Sequence, residues 1–265
     1  MTSTRVRRSA SWIAPLTALT ALAACTSSDR AEEARPTPAP AVTAALRTVE
    51  RSTDRAASAR VKSTTTVGST LSMKAQGTFA WRDGLTGTLT ITYTGGTTAE
   101  AMRRLGTTSM EARYLPDAYY ARMGEAFAEK TDGKHWIKYA YDDLERLAGG
   151  SGADLADRMR GTAPHTSVKL LLSSGDVREV GEETVSGART TRYSGTVRGA
   201  GATSQTVDIW VDDRGLLVKK VEQGRTATGS LTQTAYYSDY GVEAAVEKPP
   251  TGDTADLKEL LEEGS

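Results

Sequence analysis

The chain has 265 residues, and its 33 Lys+Arg balance 33 Asp+Glu. Neutrality of this kind provides no basic field for nucleic acid, and the length suits one sizeable domain with short appendages. Leu, Ile, Val and Phe supply only 43 residues, which at near-zero net charge fits a sheet with one buried and one wet face better than disorder.

Arg5, Arg7 and Arg8 open the chain, no acidic residue precedes Asp29, and Trp12 to Ala24 is apolar or small. That is the layout of a secretory signal peptide. The apolar run is too short for a bilayer span, which needs ~20 residues. It ends in Leu22-Ala23-Ala24-Cys25. This resembles the bacterial lipobox, which implies cleavage between Ala24 and Cys25 and a diacylglyceryl group, carrying chains such as palmitate, on the Cys25 thiol. Cys25 is the sole cysteine, so it has no internal disulfide partner. The competing reading is an ordinary signal peptide with a chance cysteine. Arg7-Arg8 is followed by Ser9-Ala10-Ser11 rather than an apolar pair, which favours general secretion over the twin-arginine route.

Residues 25–40 are polar and Pro-rich, an extended tether that cannot pack a core. A helix is expected over Val42 to Ala59. Leu71 to Trp81 and Leu85 to Tyr93 alternate with period two around an Asp83-Gly84 turn, the pattern of a hairpin. Met110 to Leu115 and Ala118 to Met123 flank Pro116-Asp117 as a second hairpin, and Lys134 to Tyr139 is a further strand. Helices follow at Asp142 to Leu147, closed by Gly149-Gly150, at Ala153 to Arg160, and from a Thr162-Ala163-Pro164 start through Leu170-Leu171-Leu172 to Gly175. Strands return at Val177 to Glu183, Thr184 to Val197 with a Ser186-Gly187 turn, Thr206 to Asp212, Leu216 to Gln223 and Ser230 to Tyr240. Pro249-Pro250 closes the domain, and Asp256 to Glu262 forms a short terminal helix. The order helix, strands, helices, strands indicates an α+β fold with an antiparallel sheet and helices on one face.

The sequence carries little that suggests catalysis. His135 and His165 are far apart and show no metal-ligand spacing. Asp142-Asp143 and Glu182-Glu183 are adjacent pairs whose side chains point apart, and an Asp at 142 or 143 suits a helix start. No G-x-S-x-G elbow, phosphate loop or calcium loop occurs. The expectation is a protein that is not an enzyme and uses no cofactor or metal. A hydrolase acting through His135 or His165 is the alternative that substitution of both would test.

What remains is an apolar surface. Alternation and helix faces nominate Leu71, Met73, Phe79, Leu89, Ile91, Tyr93, Tyr119, Trp136, Leu144, Leu147, Met159, Leu171, Leu172, Val207, Ile209 and Val211 as the lining of a hydrophobic cavity between sheet and helices. The plainer alternative is that these residues fill a closed core. Methionines at 73, 102, 110, 123 and 159 add adaptable side chains.

Four phrases extend the argument: Gly133-Lys134-His135-Trp136-Ile137-Lys138 leading into Asp142-Asp143-Leu144, Leu170-Leu171-Leu172-Ser173-Ser174-Gly175-Asp176-Val177, Glu182-Glu183-Thr184-Val185-Ser186-Gly187 before Thr190-Thr191-Arg192-Tyr193, and Val207-Asp208-Ile209-Trp210-Val211-Asp212 leading to Gly215-Leu216. In these the chain resembles the LppX/LprG-type lipoproteins of actinobacteria, within the LolA-like superfamily. The resemblance implies a curved antiparallel half-barrel wrapped around a few helices, and a domain over 41–250 between signal peptide (1–24), tether (25–40) and C-terminal tail (251–265). It also implies a lipid-anchored protein on the outer face of the cell membrane, monomeric, that binds or carries a lipid or acylated small molecule. The alternative on the same fold is an envelope sensor that docks a membrane-protein partner.

Overall fold

The computed structural model describes residues 39–147, 162–197 and 204–263. The expected signal peptide, Ala24, Cys25, nearly all of the tether, Gly149-Gly150 and the helix expected at 153–160 lie outside them. The helices are α1 (Pro40–Ala56), α2 (Gly96–Arg104), α3 (Glu125–Ala128), α4 (Tyr141–Leu147), α5 (Pro164–Leu172) and α6 (Leu257–Glu263). The strands are β1 (Ser58–Val67), β2 (Leu71–Ala80), β3 (Thr86–Gly95), β4 (Ser109–Tyr114), β5 (Ala118–Arg122), β6 (Trp136–Ala140), β7 (Arg178–Val185), β8 (Ala188–Val197), β9 (Gln205–Asp212), β10 (Leu217–Thr226), β11 (Gly229–Ser238) and β12 (Thr254–Asp256). They form one sheet in the order β12-β6-β5-β4-β3-β2-β1-β11-β10-β9-β8-β7. Every pairing is antiparallel except the parallel β12–β6 edge.

Local chemistry explains most of the turns. Ser186 and Gly187 both take positive φ, 50° and 84°, as a two-residue hairpin of primed type requires. At the next turn the Asp212 carboxylate accepts from the backbone N–H of Arg214 (3.0 Å) and Leu216 (2.9 Å). The first strand had no counterpart in the sequence reading. Instead of continuing as helix to residue 59, the chain breaks at Ala57, which adopts a left-handed conformation with φ 64°, and β1 starts at once. Its run of Ser63, Thr64, Thr65 and Thr66 is polar, and the three threonines are β-branched, so it lacks an apolar period but suits a pleated strand. The helix α2 was likewise not legible, because only Ala99 and Met102 of it are buried.

The helices α1 and α5 pack together on one face of the sheet. Leu46, Val49 and Thr53 are the buried residues of α1. Two bonds fasten its C-terminal half: Trp81 Nε1 donates to the Asp54 carbonyl at 3.0 Å, and the Leu217 amide donates to Thr53 Oγ1 at 3.3 Å. The helix α5 lies so close to β8 that a Cβ on Gly195 would sit 2.9 Å from Leu171 Cδ1.

The domain does not close at Pro249-Pro250. The chain runs on across the opposite face of the sheet and rejoins it as β12 and α6. Ser58 Oγ donates to the Val242 carbonyl (2.6 Å), and Arg113 Nη1 donates to the Glu247 carbonyl (2.8 Å). Lys138 Nζ bonds Asp256 Oδ2 at 3.0 Å. This outer face carries its own small core of Ala118, Tyr120 and Trp136. Trp136 pairs with Arg122 and Lys138 with Tyr120, so alternation turns Trp136 away from Tyr119 and Tyr139. Trp136 therefore lies on the face opposite the expected cavity, under the Arg113 guanidinium at 4.7 Å.

His135 is the latch of this C-terminal strap. Its amide donates to Asp253 Oδ1 (2.8 Å), its Nδ1 lies 2.7 Å from the same oxygen, and its Nε2 lies 3.5 Å from Glu125. The Asp253 bond raises the histidine pKa. Burial pushes the Asp253 pKa up, but the bonds from His135 outweigh it and the net shift is down. A raised histidine pKa contributes stability that is complete below the unfolded value and lost as pH rises through the folded one. A lowered aspartate pKa contributes stability present above the unfolded value and lost as pH falls through the folded one. The latch is therefore strongest between about pH 4 and 6.5. Amide exchange at 253–256, corrected for intrinsic rate, should be slowest in that window and accelerate towards pH 9. His135→Gln should flatten that rise, and an unchanged profile in the variant would show that the imidazole does not hold the strap.

Candidate functional site

The register fixes which residues share the helix-bearing inner face. Across β2 to β6 it aligns Phe79, Gly87, Tyr114, Tyr119 and Tyr139 in one row, then Gly77, Leu89, Ala112, Ala121 and Ile137 in the next. A third row holds Ala75, Ile91 and Met110, and Met73 with Tyr93 forms the last. Large aromatics border a floor of small residues. Gly87 allows this, since a Cβ there would lie 2.5 Å from the Phe79 ring. Phe79 lies across Gly87 to meet Tyr114 edge-on at 5.0 Å, Tyr114 meets Tyr119 at 5.0 Å, and Tyr119 meets Tyr139 at 5.5 Å.

The two halves of the inner face differ in cover. Val207, Ile209, Leu217 and Leu171 are fully buried in the half where α1 and α5 pack. In the β2–β6 half Met73, Tyr93, Met123 and Tyr139 are only partly buried against the core, as are Val42 and Ala45 of α1 and Leu170 and Leu172 of α5. The surface is polarised without being charged: Tyr93 Oη donates to Met110 Sδ at 3.8 Å. Burial raises the pKa of Tyr93, Tyr114, Tyr119 and Tyr139, so these phenols stay neutral.

Of the residues nominated from sequence, Phe79, Leu89, Ile91, Tyr119, Leu144, Leu171, Val207, Ile209 and Val211 are buried in the main core, and Met73, Tyr93 and Leu172 pack against it partly exposed. Leu71 is half-buried at the start of β2. Trp136 lies on the other face, and Met159 and the Leu147 side chain are outside the described residues. Sequence reasoning left Met110, Tyr114, Met123 and Tyr139 out of the cavity lining, although it singles out Met110 and Met123 as adaptable side chains. Parity finds Met123, because 119, 121 and 123 share one face once Tyr119 points inward.

At one end the inner face turns polar. The row of Met73 continues across β1, β11 and β10 as Thr65, Gln233 and Glu222. Lys220, two residues before Glu222 on the same face, bonds it at 2.8 Å. Burial works against the Lys220 ammonium, but Tyr237 and Glu222 more than offset this and the pKa is raised.

The outer face carries a hollow of about 780 Å³ near the β7–β8 and β9–β10 turns, with Lys62, Lys219 and Tyr236 in its lining. The register continues this row through Trp210 to Arg192. Lys219 Nζ stands 4.1 Å from the Trp210 ring centre and 5.8 Å from that of Tyr236. Glu183 accepts from Trp210 Nε1 at 2.9 Å. Among the described residues no three His, Cys, Asp or Glu side chains converge as a metal site.

An open antiparallel sheet folded around a few helices, with an apolar and partly uncovered inner face, is the fold of LprF and LppX. The solved structure of LprF from Mycobacterium bovis shares the fold at a TM-score of 0.51 and 15% identity, covering 80% of this chain and 99% of that one. LppX from Mycobacterium tuberculosis shares it at 0.52 and 17%, covering 78% and 99%. No family model matches the chain. SCO4650 of Streptomyces coelicolor, named as a lipoprotein, is 61% identical over 98% of each chain. A 31.2 kDa Streptomyces griseus protein from the rplA-rplJ intergenic region is 48% identical over 83% of this chain and 81% of its own. The chain belongs to the family of the lipoprotein SCO4650.

The buried tyrosines make alkaline unfolding a measure of this site. A phenol with a raised pKa contributes stability that is complete below its unfolded value of about 10 and lost as pH climbs towards the folded one. With the exposed Tyr236 replaced by Phe, phenolate absorbance should therefore appear together with loss of tertiary signal, not before it. Replacing Tyr114 and Tyr119 together by Phe as well should make unfolding less steep in pH. An early, separate phenolate step in the Tyr236→Phe protein would contradict the burial.

Proposed function

We propose that this lipoprotein is cleaved after Ala24, acylated on Cys25, held at the outer face of the cell membrane, and binds a lipid or acylated small molecule on the inner face of its sheet. The observation that carries the reading is the uneven cover of that face. Met73, Tyr93, Met123 and Tyr139 are only partly buried beside the buried Phe79, Leu89 and Ile91. Such a surface offers flexible thioethers and neutral rings, which suit an apolar ligand of variable shape. The fold shared with LppX and LprF supports the same reading. Catalysis has no part in it: His135 is bound to the strap, and His165 is packed beside Trp81 at 6.0 Å between ring centres.

The anchor makes physical sense of the tether. A single acyl chain binds membranes only marginally, whereas two hold firmly. A spacer over 25–40 then lets the domain face the membrane that supplies its ligand.

Native mass spectrometry of the lipidated protein, extracted from its own membrane, should show co-purified lipid. Replacing Met73 and Met123 by Trp fills the partly open surface, and should cut binding of a fluorescent fatty acid by about tenfold while melting stays within a few degrees. Unaltered binding in a folded variant would remove this face from consideration. Separately, Cys25→Ser should abolish the diacylglyceryl mass increment and block cleavage before residue 25. A mature protein of unchanged mass would refute acylation there.

A further inference from the structure

Lys220 and Glu222 put two charges on an inner face whose other side chains are apolar or uncharged. Their cross-strand neighbours are Ile209, Val207 and Ala235, and the first two are completely buried in the core. Lys220 itself is 8% exposed. Taking an ammonium and a carboxylate out of water costs several kcal/mol per ion, and apolar residues of similar size stabilise a fold at least as well. Fold stability therefore gives no account of the pair.

Its position supplies one. The chain Glu222–Gln233–Thr65 runs across three adjacent strands and abuts Met73. Gln233 Nε2 donates to Thr65 Oγ1 at 3.2 Å, which leaves the Gln233 carbonyl oxygen and a second N–H for other partners. The ammonium has three hydrogens, and among the described residues one carboxylate meets it, at 2.8 Å. The cluster thus holds both donors and acceptors in reserve, at the end of an apolar strip.

We propose that Lys220, Glu222, Gln233 and Thr65 form a head-group site, and that the ligand of the inner face is an amphiphile with an uncharged, hydroxyl-bearing head there and its acyl chain along Met73 and Tyr93. A hydroxyl donates to Glu222 and accepts from Lys220 without separating them. An anionic head would compete with Glu222 for the one ammonium and leave a buried carboxylate uncompensated. A head with no hydrogen bonds would desolvate all four side chains and return nothing.

This inference rests on the reading that the inner face binds lipid, and the test separates the two. The full lipidated protein in phosphatidylcholine nanodiscs is irradiated with either of two diazirine-bearing palmitic probes, the glycerol monoester or the methyl ester. The glycerol ester should half-saturate labelling at about one-tenth the concentration of the methyl ester, as expected for one or two buried hydrogen bonds. The double variant Lys220→Met with Glu222→Leu removes both charges together and should label equally with both probes. Thr65→Val with Gln233→Leu, which leaves the ion pair intact, should narrow the preference as well and decides the matter if the first variant does not fold. Equal labelling of the native protein by both probes overturns the head-group site while lipid binding stands. A preference that survives in the folded variants overturns it too. No labelling by either probe overturns the lipid-binding reading and this inference with it.

Discussion

Every inward-facing residue in this fold depends on the register of β1. That strand pairs with β2 on one side and with β11 on the other, and so joins two halves that are remote in sequence. The Thr65–Gln233 contact spans 168 positions. Because side chains alternate with period two, a slip of one residue at β1 would turn the inner face of one half outward relative to the other. The apolar strip of Met73 and Tyr93 and the polar cluster around Lys220 are continuous only because Thr65 stands between them. The closure is entropically costly, and long-range β pairing of this kind folds slowly.

That same strand was the least legible element. Elements with an apolar period, such as β2, β3 and β9, and turns with strong chemistry, such as Ser186-Gly187 and Asp212 to Gly215, can be placed from sequence alone. In β1 only Ala59 and Val61 among its apolar residues are buried, and four consecutive hydroxyl residues hide the alternation. Its strand character comes from two neighbours, a tertiary cause that no local window contains. Trp136 failed for a related reason. An aromatic in a strand reads as inward, but the C-terminal strap gives the outer face a core of its own, and this strap runs past Pro249-Pro250 to rejoin the sheet as β12.

The candidate site shows the same division. The apolar floor could be nominated residue by residue, since burial follows hydrophobicity. Which part of that floor stays open could not, because it depends on where α1 and α5 lie and not on the strands. The methionines and tyrosines at the open margin share composition with the closed core. Only their partial exposure distinguishes them.

The outer and inner faces use charge in opposite ways, and the contrast bears on function. On the outer face Lys62 sits at the surface, where solvent screens it and an ion pair contributes little, while the half-buried Arg192 pairs with buried Asp208 at 3.1 Å. Lys219 is steadied by ring faces rather than by a carboxylate. On the inner face Lys220 and Glu222 are shielded from water, so each is committed to the other. Adjacent positions on one strand, 219 and 220, therefore place one lysine in a screened and one in a poorly screened environment. A buried charge pair fixes orientation more than it adds stability. Placed at the rim of an apolar strip, it gives that strip a direction, with one end for hydrocarbon and one for hydrogen bonds.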